Sequence, residues 1–187
     1  MMSVTGVLDE IVSALTAAGI PCMLTGSFAA AVHGAGRATM DIDLVIEPTA
    51  TSLERFVAGM LESGRYVSPD AAREALALRT MFNVVDVDSG WKIDLIVRKD
   101  RPFSESEFAR RTELALGATR LPVATVEDLV LAKLEWARMG ASARQLEDVR
   151  ALIRVAGPSF DRAYVESWVP ALGVGEQWRS VGSAEAL

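Results

Sequence analysis

Histidine and cysteine are almost missing from this 187-residue chain: His33 and Cys22 are the single examples of each. One cysteine excludes a disulfide framework and a cysteine zinc cluster. One histidine excludes His-rich metal sites and most His-based acid–base relays. Long apolar runs are missing too. Half of the residues are hydrophobic, enough to fill a core, but no stretch approaches the roughly 20 residues that cross a bilayer. The opening Met-Met-Ser-Val-Thr-Gly lacks basic residues and leads toward Asp9 and Glu10, so no signal peptide is expected and a cytoplasmic protein is. Positive charge is not in excess. The net charge of −6 argues against a nucleic-acid coat over the whole surface, although a local basic patch depends on local field, not net charge.

What is present divides at about residue 122. Val7, Leu8, Ile11, Leu15 and Ala18 recur at helical spacing until Gly19 and Pro21 stop them. Cys22 to Thr25 reads as a buried strand, Gly26-Ser27 as a turn, Phe28 to Val32 as a short helix and Gly36 to Met40 as a loop. Ile42 to Ile46 reads as a strand. Leu53 to Leu61 and Ala71 to Leu78 read as helices. Met81 to Val87 and Trp91 to Val97 form a hairpin around Asp88-Ser89-Gly90. Ser104 to Arg111 is helical, and Thr112 to Val123 carries weak strand signals. Three helices follow: Val126 to Met139 with a Thr125–Asp128 cap, Ser142 to Val155, and Phe160 to Leu172 with Pro170 interrupting it. The expected architecture is therefore α/β (α+β) over 1–122, then a helical region over 123–187.

The chemistry gathers at Asp41-Ile42-Asp43. Strand residues two apart point to one face, and two converging carboxylates repel unless a cation lies between them. Oxygen donors of this kind suit Mg2+, which keeps waters and adds substrate phosphates to its shell. Asp94 is an acid within the apolar run Trp91 to Val97. If its strand lies beside the first, it becomes a third carboxylate, and three acids can hold two Mg2+ ions. Gly26-Ser27 follows a buried strand and opens a helix, where backbone N–H groups can cradle phosphate and a glycine permits close approach. Arg37 lies between this turn and the acids, within reach of a phosphate.

Gly26-Ser27-Phe28-Ala29-Ala30, His33-Gly34, Arg37, Thr39 and Asp41-Ile42-Asp43-Leu44 together resemble the signature of the DNA-polymerase-β-like nucleotidyltransferase superfamily, with Asp94 as its later strand acid. The resemblance covers the first half of the chain and implies the nucleotidyltransferase fold, a mixed β-sheet flanked by helices, and dependence on Mg2+ or Mn2+. In the second half Val126-Glu127-Asp128-Leu129, Lys133 and Asp148 resemble the AbiEii and MenT toxin branch. That resemblance implies that Lys133 contacts nucleotide phosphates and Asp148 orients it or assists proton transfer. It also implies transfer of a nucleotide, often a pyrimidine, from an NTP (ATP or CTP among them) to the 3′ end of tRNA, blocking translation. A cognate antitoxin would restrain the toxin. In MenT systems the antitoxin acts as a kinase on a Ser or Thr two residues before the first metal Asp, and Thr39 occupies that place.

Plainer readings compete. Asp86-Val87-Asp88 is also Asp-x-Asp, yet it abuts Ser89-Gly90 and reads as turn chemistry. Asp94 with Lys92 and Arg98 suits a solvent-facing strand side, Lys133 a helix surface, and Asp148 a local pair with Arg144. Ser27 suits a helix cap, and His33 suits packing near Gly34. Gly34-Ala35-Gly36 lacks the third glycine of a dinucleotide fingerprint. Arg98, Lys99, Arg101, Arg110 and Arg111 form a candidate RNA patch that Asp100, Glu105, Glu107 and Glu113 dilute to a mixed surface. Two rival functions stand beside tRNA modification: transfer to an antibiotic or a protein hydroxyl, and a non-catalytic nucleotide-binding antitoxin of the same fold.

Overall fold

A computed structural model describes residues 4–36, 39, 41–116, 119–140 and 142–182. The first half alternates helices and strands: α1 (Val4–Ala18), β1 (Cys22–Thr25), α2 (Gly26–Val32), β2 (Asp41–Ile46), α3 (Ala50–Glu62), β3 (Tyr66–Val67), α4 (Pro69–Leu78), β4 (Met81–Val85), β5 (Lys92–Val97), α5 (Pro102–Arg110), β6 (Thr112–Leu116) and β7 (Thr119–Val123). Four helices follow, α6 (Val126–Gly140), α7 (Ala143–Ala156), α8 (Arg162–Leu172) and α9 (Gly175–Gly182).

The strands form one mixed sheet in the order β3-β4-β5-β2-β1-β7-β6. At its centre β2 runs antiparallel to β1 and parallel to β5. Antiparallel β4 and β3 extend one side. On the other, β7 runs parallel to β1 and carries antiparallel β6. The β2–β5 pair needs a long crossover because a parallel neighbour cannot be reached through a tight turn. Helices α3 and α4 lie within that crossover.

Alternation gives the central strands two distinct faces. Ile42, Leu44 and Ile46 with Ile93, Leu95 and Val97 are fully buried. They join one core with Val7, Leu8, Ile11 and Leu15 of α1 and Leu53, Phe56 and Val57 of α3. The opposite face carries Asp41, Asp43 and Val45 beside Lys92, Asp94 and Ile96, and it faces α6. Burial of each large apolar side chain contributes about 1.5–3 kcal/mol, which holds the strand register that aligns the acids.

Local chemistry sets the helix ends. Thr49 and Ser52 form a reciprocal capping box at α3. Ser68 caps α4 ahead of Pro69 at the first turn, a position where proline loses no helical hydrogen bond. Asp161 accepts from the Tyr164 amide to start α8. Three sequence expectations change. Pro170 does not interrupt α8, which runs on to Leu172. Proline removes one amide bond, and this one falls in the last turn, with Gly173 ending the helix in the left-handed region. Gly175–Gly182 forms a further helix, α9, and Tyr66–Val67 adds an edge strand, β3.

Candidate active site

Asp43 sits at the centre of the sheet between Thr25 of β1 and Asp94 of β5, in direct register with both. Gly26, the next residue after Thr25, has φ +69°, a backbone region that costs an L side chain about 1–2 kcal/mol. A Cβ there would lie 2.0 Å from Oδ2 of Asp43. The glycine therefore makes room for the carboxylate as well as forming the turn.

Asp94 is buried, and both of its oxygens are engaged. Lys92 Nζ lies 3.0 Å from Oδ2, and Asn83 Nδ2 donates to Oδ1 at 3.1 Å. Lys92 is two residues before Asp94, on the same face, so it serves as an internal counter-ion. The bond to Asp94 holds the Lys92 ammonium above its ordinary range. Asp41 begins β2, exposed. Burial first, then the charges of Asp94 and Asp41, push the Asp43 carboxyl up to about 6; Lys133 and Lys92 oppose them.

Lys133 comes from α6 and is itself buried. Its ammonium donates to Asp148 Oδ2 at 2.8 Å and to Gln145 Oε1 at 3.2 Å, both on α7. An ammonium has three donors, so one N–H remains beyond these two bonds. The structure thus brings Lys133 and Asp148 together across two helices. A cavity of about 260 Å3 is lined by Gly26, Ser27, Asp43, Asp94, Lys133 and Trp136 among others. The sheet forms its floor and α6 its roof.

Thr39 stands just before the acids: the Asp41 amide donates to its Oγ1 at 3.2 Å. Arg37 lies outside the described residues. His33 Nε2 bonds the Ala124 carbonyl at 2.8 Å, tying α2 to the approach of α6. Asp86 is buried and bonded to Ser89, and its carbonyl accepts from the Gly90 amide at 2.8 Å, which is turn chemistry. The arginines of the candidate RNA patch are engaged internally, Arg111 on the Phe108 carbonyl, while Lys99 is exposed. Arg98 pairs with Glu47 at 2.7 Å, Arg101 with Glu135 at 2.6 Å and Arg110 with Asp128 at 3.2 Å. Glu107, expected on a mixed surface, is buried.

Among the described residues no group of three or more His, Cys, Asp or Glu side chains is drawn together as a metal cage. The reason is local, since Lys92 and Asn83 take both oxygens of Asp94 and Asp41 lies out at the strand start. The donor chemistry nevertheless suits a divalent cation. Asp43 and Asp94 are oxygen donors side by side, and burial with the like charges of Asp94 and Asp41 holds the Asp43 carboxyl above its ordinary range.

Sequence reasoning missed four contributors: Lys92 as counter-ion, Asn83, Gln145 and Trp136. Helical spacing held a signal for the last two. Trp136 is three residues after Lys133 and Gln145 three before Asp148, so each shares a face with its neighbour.

No protein-family model and no curated protein matches the chain. Solved structures do. The solution structure of the antibiotic-resistance factor ANT(2″)-Ia superposes with a TM-score of 0.60 at 14% identity, covering 96% of this chain and 99% of that one. An antigenic nucleotidyltransferase-like protein from Paracoccidioides brasiliensis gives 0.55 at 16% identity, over 94% and 89%. The lincosamide antibiotic adenylyltransferase LnuA, bound to lincomycin, gives 0.52 at 12% identity, over 79% and 95%. The chain has the nucleotidyltransferase fold, a mixed sheet flanked by helices. No helix among the described residues is long and apolar enough to cross a membrane.

Proposed function

We propose that this protein transfers a nucleoside monophosphate from an NTP to a hydroxyl, releasing pyrophosphate, and that the acceptor is the 3′ end of tRNA. The observation that carries the reading is the in-register pair Asp43 and Asp94 in one cavity with Lys133. Asp41 and Asp43, with Asp94, would hold Mg2+ or Mn2+. Bound there, the cation would neutralise charge on the triphosphate and lower the pKa of an attacking hydroxyl. Lys133, kept in place by Asp148, would contact the phosphates together with Gly26, Ser27 and Arg37. Asp94 would help take the proton of the acceptor hydroxyl. Fixed charges around the reacting phosphate would supply most of the acceleration. The region 123–187 would complete a site begun on 1–122.

The tRNA acceptor, a toxin role and a restraining antitoxin rest on the resemblance of Lys133 and Asp148 to the toxin branch. Phosphate on Thr39, placed there by a kinase-like antitoxin, would add about two negative charges beside Asp41 and oppose triphosphate binding. A Thr39→Val protein that the antitoxin still silences would sink that regulation. A second reading, transfer to an antibiotic, is favoured by the likeness to ANT(2″)-Ia and LnuA along most of the chain. Each α-labelled NTP is incubated with Mg2+ or Mn2+ and with tRNA, aminoglycosides, lincosamides or lysate. Label on the tRNA 3′ end, with growth arrest on induction, is the expected result. Label on a drug or a protein selects a rival acceptor. Absence of any label, with normal growth, selects a non-catalytic nucleotide-binding protein. Full labelling by folded Asp41→Ala protein would overturn the site.

A further inference from the structure

A second cavity, about 140 Å3, adjoins the first. Thr25, Ile96, Ala132 and Trp136 line both. Its floor is the next row of the sheet, Val45 paired with Ile96, two residues beyond Asp43 and Asp94. At about 3.3 Å per strand residue, that row lies roughly 7 Å from the acids. Helix α5 contributes Phe103 and Glu107 to the walls, and α6 contributes Glu135 and Trp136.

Three features define what fits. Trp136 is 54% exposed although it shares a cavity with buried Lys133. A large aromatic face is left open at the junction of the two cavities. The cavity's arginines are spent: Arg98 bonds Glu47, and Arg101 makes a bidentate pair with Glu135 at 2.7 and 2.6 Å. Lys99, exposed, also lines the cavity, so a phosphate would meet one lysine in place of an arginine fork. Glu107 is 9% exposed and lines the cavity. The Ser104 hydroxyl on its own helix bonds it and the charge of Arg101 favours it, although Glu135 already takes that arginine, while Asp128 and Glu135 face it with like charge. Burial, with those like charges, pushes the Glu107 carboxyl up to about 7.

An open aromatic face beside a buried carboxyl is the chemistry that reads a nucleobase: stacking holds the ring, and a carboxylate accepts from exocyclic amino groups. We propose that the second cavity is a nucleobase subsite, with Trp136 as the stacking face and Glu107 as the acceptor for an exocyclic amino group on the base edge. It rests on the nucleotidyl-transfer reading for its place in the reaction. The base belongs either to the incoming NTP or to the terminal nucleotide of the acceptor.

The test begins without metal or phosphate, so that it does not depend on transfer. Tryptophan emission is followed in EDTA while cytidine, uridine, adenosine and guanosine are titrated separately into wild-type, Trp136→Phe and Glu107→Met proteins. The wild type should show quenching that is lost in Trp136→Phe, with cytidine preferred over uridine by about tenfold. Glu107→Met should keep the quenching and bring that preference to within about threefold. Trp136→Ala in the transfer assay then separates the sources. A raised KM for NTP alone assigns the base to the incoming nucleotide, and a raised KM for the nucleic-acid acceptor alone assigns it to the acceptor. Wild-type emission unmoved by all four nucleosides, or a cytidine preference unchanged in folded Glu107→Met, overturns the proposal. Nucleoside quenching without any labelled transfer would retain the subsite and refute the transfer reading.

Discussion

Asp43→Asn is expected to make the metal-free protein more stable at neutral and alkaline pH while abolishing transfer. The Asp43 carboxyl is pushed from 3.8 to about 6 by burial and by Asp94 and Asp41. At about 1.36 kcal/mol per pKa unit the shift amounts to up to about 3 kcal/mol. The sign follows from proton binding. Between about pH 4 and pH 6 the folded state holds this proton more tightly than the unfolded chain does. Stability from this group is therefore fully present below the unfolded value and is lost as pH rises through about 6. Asparagine keeps the shape without the charge. Urea unfolding in EDTA should show Asp43→Asn ahead of the wild type by up to about 3 kcal/mol at about pH 8, converging near about pH 3.5. Added Mg2+ should then stabilise the wild type and leave the variant unmoved, because only a ligand bound to the folded state shifts the midpoint. A variant no more stable than the wild type at about pH 8, or an advantage that is independent of pH, would refute the electrostatic reasoning.

Glu107→Gln should behave alike for the same physical reason. Its carboxyl is raised from 4.5 to about 7, so the variant should gain up to about 3 kcal/mol above about pH 7 and none below about pH 4.5 by urea titration. Gly26→Ala should lose about 1–2 kcal/mol from its positive φ and at least tenfold in transfer rate, because the new methyl displaces Asp43. In an Asp43→Ala background only the backbone cost should remain by thermal unfolding. Asp148→Ala should cost about 3 kcal/mol, since it leaves the buried Lys133 ammonium with Gln145 alone, and Asp148→Asn should cost less in the same urea assay.

The sequence exposes this fold where a short run is mostly apolar. Cys22–Thr25 and Ile42–Ile46 carry no competing helical period, so their strands are legible. Asp94 is legible for a related reason, as an acid that an apolar run does not otherwise need. Its register against Asp43 is not, because that pairing spans a crossover of about fifty residues and depends on the whole interior. The same limit hides Lys92, whose role appears only once β5 lies beside β2. Glu107 misleads because its helix is mostly polar, and only the placement of α6 over α5 encloses it. Helix α9 is invisible to periodicity because Trp178 and Val181 are too few to mark a stripe. Pro170 reads as a breaker, yet its position in the final turn costs the helix little.

The spread of the candidate site along the chain, from β2 to α7, also has a meaning in time. Asp43 and Asp148 are separated by roughly a hundred residues, which a ribosome adds in roughly five to twenty seconds. During that interval the emerging chain holds Asp41 and Asp43 but lacks the lysine and its α7 partners. The Lys133–Asp148 pair therefore forms only after α7 has left the ribosome and docked on α6. Synthesis itself separates in time the two halves of the cavity, the strand acids first and the helical lysine with its α7 partners second.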